Sequence, residues 1–144
     1  LRDRLGLTSS PTNERMFTTD HGIGEKDASF NTIEAGGDIR TVSSFHLSLT
    51  SRIPKPVRAE AVPIAERAFE AYVEALTAIY GQGKRGKRKQ HASMTWALPS
   101  DASVRIGTVG WLISIDVTSP AGNEAARGED QYFDEIADEN DPAR

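Results

Sequence analysis

Residues 59–80 read AEAVPIAERAFEAYVEALTAIY, and in them Val62, Ala65, Phe69, Tyr72, Val73, Leu76, Ile79 and Tyr80 recur every three or four positions. That spacing gathers the large apolar side chains into an arc of about 120° on a helical wheel, so the stretch predicts one long amphipathic helix with a single wet side. Pro63 fits the first turn, where a missing N–H loses no intrahelical partner, which sets the start between Ala59 and Val62, and Gly81 supplies the stop. Ala68, Ala71, Ala75 and Ala78 line one flank, small enough to let a sheet approach closely. Glu66, Glu70 and Glu74 climb the other at i, i+4 spacing, either a solvated face or a docking ridge for a basic partner.

On both sides of this helix the period changes from 3.6 to 2. Ser29 to Ala35 alternates and ends at Gly36-Gly37-Asp38, a hairpin signal, and Ile39 to Thr50 sets Phe45, Leu47 and Leu49 against His46, Ser48 and Thr50. After the helix, Met94, Trp96 and Leu98 alternate with Ser93, Thr95 and Ala97, and Pro99-Ser100-Asp101-Ala102 turns the chain. Val104 and Ile106 flank Arg105, then Trp111, Ile113, Ile115 and Val117 alternate with Leu112, Ser114 and Asp116 in what reads as a central strand. The fold class predicted is α+β, an antiparallel sheet of about five strands with one long amphipathic helix on a face, a two-layer sandwich. Its domain spans residues 29–119, preceded by an irregular segment, 1–28, and followed by an acidic tail, 120–144. No internal repeat is evident.

At 144 residues the chain is long enough to hide roughly two-thirds of its surface in one domain. It begins at Leu1, so residues ahead of it could be missing. It has no apolar run of membrane length, and a cytoplasmic location is the working expectation. With no cysteine, disulfides, thiolate nucleophiles and cysteine metal sites are excluded. The net charge of −4 conceals a strong segregation. Lys84, Arg85, Lys87, Arg88 and Lys89 place five positives in six positions, read as a basic loop, while Glu124 to Asp141 carries eight acids against Arg127 alone. Within that acidic stretch Tyr132, Phe133 and Ile136 share one helical face; left free it is expected to be disordered, and against a basic groove it could fold with aromatic anchors and an acidic rim.

His21, His46 and His91 are the sole imidazoles, and none stands in a recognisable frame with a nucleophile and an orienting acid. Gly22-Ile23-Gly24 lacks the third glycine and the strand-to-helix setting of a phosphate loop, and no metal-ligand spacing occurs, so no catalytic residue, cofactor or metal is assigned. An enzyme alternative places a pocket between helix and sheet, lined by Trp96, Trp111 and Tyr72 with His46 or Asp116 titrating.

In size, two-layer pattern, acidic excess and lack of cysteine, residues 29 to 119 resemble the immunity proteins of actinobacterial toxin–immunity pairs. That resemblance implies an antitoxin-type inhibitor that covers the active cleft of a toxin enzyme. A positive cleft would be met by Glu66, Glu70, Glu74, Asp134 and Glu135, with Tyr132 and Phe133 as anchors. The alternative partner is nucleic acid, through Lys84, Arg85, Lys87, Arg88 and Lys89, against which stand the absence of interleaved aromatics and a pI near 5.4.

Overall fold

The structure, a computed structural model, describes residues 8–9, 15–19, 27–34, 40–89 and 91–139. Strands β1 (Thr8–Ser9), β2 (Met16–Thr18), β3 (Ala28–Glu34) and β4 (Arg40–Ser48) precede helix α1 (Arg58–Tyr80). Strands β5 (Lys84–Arg88), β6 (His91–Ala97), β7 (Ser103–Thr108) and β8 (Ile113–Thr118) then lead into helix α2 (Pro120–Glu139). All strands join one antiparallel sheet in the order β1-β2-β3-β4-β8-β7-β6-β5. The α+β class and the long helix on a sheet are as the periodicity predicts, whereas among the described residues the sheet has eight strands rather than about five. A four-strand meander followed by a helix occurs twice, so the topology is internally duplicated even though no repeat shows in the residues. The two meanders meet at β4 and β8, whose register from Ser44↔Thr118 to Ser48↔Ser114 is centred on His46 and Asp116.

Helix α1 carries the chain from the central β4 to the far edge β5. Its 23 residues span about 34 Å, more than the roughly 19 Å across four strand spacings. It starts one residue before the predicted window, after a 3-10 turn over Lys55–Val57, so Pro63 lies inside the helix rather than in its first turn. The carbonyl left without its i+4 donor is that of Ala59, which is exposed and open to water. Ala65, Phe69 and Val73 form the buried stripe, set onto Met94, Trp96, Val104, Ile106 and Ile113 from β6, β7 and β8. Trp96 is 1% exposed, and its indole N–H donates to the Gly81 carbonyl at 3.0 Å, tying β6 to the end of α1.

Three segments depart from expectation. The basic stretch is no loop: Lys84–Arg88 is an edge strand paired with β6 from Lys84↔Thr95 to Arg88↔His91. An edge strand dense in lysine and arginine resists pairing with further chains, which is why composition alone resembles a loop. Residues 1–28 are not uniformly irregular, since β1 and β2 extend the sheet. Phe17 is buried and stacks on Phe30 at a centroid distance of 5.3 Å, and the buried Asp27 carboxylate accepts the Thr19 N–H at 2.7 Å and the Thr19 hydroxyl. Pro120 opens a helix where disorder was expected. The Ser119 hydroxyl accepts the Gly122 N–H at 3.1 Å as an N-cap, and Pro120 suits a first turn, which needs no N–H.

Candidate functional site

Across the sheet face that carries α1, one row of cross-strand neighbours runs Arg85, Met94, Ile106, Ile115, and the next runs Lys87, Ala92, Thr108, Ile113. In the first row Met94 and Ile106 are buried in the core with Phe69 and Val73; in the second, the smaller Ala92 and Thr108 line a hollow. The hollow left is a groove of about 830 Å³ between the first half of α1, the end of the β5–β6 hairpin and the β7–β8 loop. Its wall is apolar where Val62, Phe69 and Trp111 contribute. Arg58, Arg85, Lys87 and Lys89 bring four cations to its lining, against the carboxylates of Glu66 and Glu70.

The two arginines are already held. Arg85 makes a bidentate pair with Glu70, at 2.7 and 3.0 Å, and that hydrogen bonding holds the Glu70 carboxyl below its ordinary range and the Arg85 guanidinium above its own. Both partners are about half exposed, so this pair adds at most about 1 kcal/mol to stability. Arg58 lies 4.4 Å from the centre of the Trp111 ring and donates from Nε to the Ile53 carbonyl at 3.1 Å. Lys87 and Lys89 are exposed.

The opposite sheet face is polar. One row of it runs Ser29, His46, Asp116, Arg105, Thr95 and Lys84 across six strands. His46 Nδ1 is 2.7 Å from Asp116 Oδ1. That hydrogen bond raises the histidine pKa above 6.5, partial burial opposes the rise, and the carboxylate charge adds to it. Protonation is therefore favoured by folding: the pair's stabilisation is full below about pH 6.5 and is lost as pH rises through the raised folded value. The imidazole is 38% exposed, which screens the effect to no more than about 1 kcal/mol. Thermal unfolding between about pH 6 and pH 8.5 is expected to show the parent losing stability relative to His46→Gln. Parallel pH profiles would dismiss the pair as a contributor.

The residues named for the enzyme alternative do not meet in one pocket. Trp111 lines the groove, but Trp96 is core, and His46 and Asp116 lie on the other face of the sheet. A hollow of about 120 Å³ touches Asp116, Arg105 and His91 without reaching His46. His21 and the glycines of Gly22-Ile23-Gly24 lie outside the described residues. Among the described residues no three His, Asp or Glu side chains gather as a metal would require, and no helix is long and apolar enough to cross a membrane.

Of the residues assigned from sequence to a partner, Glu66, Glu70 and Glu74 are all exposed on α1, with Glu70 engaged by Arg85. Tyr132, Phe133, Asp134 and Glu135 fall within α2, their side chains outside the described set. Of the basic five, Arg85, Lys87 and Lys89 line the groove, Lys84 belongs to the row on the opposite face, and the Arg88 side chain is not described. The groove joins residues from α1, the hairpin and the loop after β7; no periodicity marks Lys84–Lys89 as a strand, since Gly86 alone interrupts its charges.

The protein-family description that matches this chain is DUF6301, a family of unknown function, and it covers residues 1–119, the whole sheet and α1. No curated protein and no solved structure matches it.

Proposed function

The chain belongs to the DUF6301 family, whose function is unknown, and from that premise we propose that it is a protein-binding module of the immunity type, which inhibits an enzyme by occupying its basic cleft. One observation supports this above the rest: the acids of 124–139 are carried on a helix whose first turn is fastened to the sheet. Ser119 donates its N–H to the Ser43 carbonyl at 2.8 Å, the Asn123 amide donates to the Asp101 carbonyl at 2.6 Å, and the Ser103 hydroxyl meets Asn123 Oδ1 at 3.1 Å. Seven acids against Arg127 give this stretch a net charge of −6, and a positive cleft of opposite charge would speed encounter. On α1, Glu66 and Glu74 are exposed as separate acids, while Glu70 is paired with Arg85. The toxin identity of the partner rests on the resemblance in general character described above.

The test begins with the enzyme that co-purifies stoichiometrically from the native host. Saturating amounts of the chain are expected to suppress that enzyme's turnover. Reversing Glu124, Glu129, Asp134 and Glu135 to lysine is expected to weaken binding by about 100-fold, the scale of removing partners from desolvated charge pairs. Full enzyme activity in the saturated complex, or unaltered affinity after the reversal, overturns the reading.

A further inference from the structure

We propose that the groove beneath the first half of α1 is a binding site for a small organic phosphate of nucleotide size, its phosphate held by Lys87 and Lys89 and its body laid along Val62 and Trp111. The proposal stands apart from the inhibitor reading and concerns a site wholly inside the family-matched region.

Three observations carry it. The volume, about 830 Å³, lies within the range of small-molecule and cofactor sites, roughly 300–1,000 Å³. The lining also combines an apolar wall with four cations and two acids, an excess of two positive charges in a chain of net −4. Because Arg85 is spent on Glu70 and Arg58 on Trp111 and Ile53, the lysines are the mobile point charges available to a phosphate. The third is backbone strain. Lys89 has φ 54° in the two-residue connection between the paired Arg88 and His91. A residue other than glycine is uncommon in the left-handed region, and this one lies on the groove lining.

Charge also selects the size of the ligand. A nucleic-acid strand leaving the groove along α1 would run beside Glu66, Glu70 and Glu74, and the negative field of the whole chain would repel each further phosphate. A ligand with one or two phosphates need not extend past the groove to the further acids of α1.

Trp111 reports on the groove and Trp96, buried in the core, serves as internal reference. Fluorescence titration with the four nucleoside monophosphates and ADP is expected to saturate for at least one of them with Kd below about 1 mM. Adenosine and inorganic phosphate, each lacking half of the recognised chemistry, are expected to bind at least about tenfold more weakly than the best nucleotide. Lys87→Ala should weaken binding about tenfold at unchanged thermal midpoint, and Ala59→Trp, an exposed substitution at the groove wall, should block it. Lys89→Gly separates site from scaffold: it should raise the midpoint by relieving the turn while weakening the nucleotide. No saturation by any of the five nucleotides up to about 5 mM overturns the proposal. So does an RNA of about 12 nucleotides that binds 100-fold more tightly than the mononucleotides with a steep salt dependence, which would make the site a polymer track.

Discussion

Trp96→Ala is expected to lower the unfolding free energy by about 3–5 kcal/mol, the usual cost of emptying a buried aromatic site. A domain of this size is stable by about 5–15 kcal/mol in all, so that loss is a third or more of the total. The indole is 1% exposed, packs with Val104 and Ile106 in the core, and lies 6.2 Å from the Tyr80 ring. Trp96→Phe keeps most of the apolar contact but removes the donor to the Gly81 carbonyl, and is expected to cost about 1–3 kcal/mol. Trp111→Ala is the comparison, since that ring is only partly buried and touches Arg58; its cost should stay near 1 kcal/mol. Urea unfolding followed by far-UV circular dichroism measures all three. If Trp96→Ala falls within about 1 kcal/mol of the parent, the packing of α1 on β6 and β7 is not what holds this half together.

Gly122→Ala should destabilise α2 although the same change in an ordinary helix interior stabilises by about 1 kcal/mol. A Cβ at position 122 would enter the Ser43 carbonyl oxygen and come within 2.9 Å of Thr118 Cγ2, so the helix must lift from β4 to admit it. Overpacking of this kind costs about 1–3 kcal/mol. Gly128, in the same helix and with nothing within 4 Å of its added Cβ, is the control, and Gly128→Ala is expected to stabilise. Hydrogen exchange reads the difference, with α2 amides losing protection in the first variant while the sheet keeps it. The same variant should weaken the proposed enzyme inhibition without altering a single acid. Equal exchange in the two variants would mean that α2 is not docked through Gly122.

Local pattern made much of this fold legible. The 3.6-residue recurrence from Val62 to Tyr80 produced α1 to within a residue at each end, because a helix is specified by neighbours three and four positions away. Strict alternation from Phe45 to Leu49 and from Ile113 to Val117 likewise declared β4 and β8 and the apolar side of each. Pattern failed where two states share one composition. Lysine and arginine at Lys84–Arg88 serve a solvated loop and an edge strand equally well, and an acidic stretch from Glu124 with few apolar residues serves a disordered tail and a helix equally well.

The candidate site was less visible than the fold. Arg85 and Lys87 were singled out as basic, but nothing local indicates that Glu70 neutralises the first or that Ala92 and Thr108 leave a hollow beside the second. The residues themselves determined which segments are helix or strand, which faces are apolar, and that charge is segregated along the chain. Tertiary structure alone decided the strand order, the duplication about His46 and Asp116, the meeting of Arg58 with Trp111 and the groove between them and the lysines. The physical reason is separation: burial and periodicity act between residues a turn or a pleat apart, whereas a groove is the space left when elements tens of residues apart pack with side chains of unequal size.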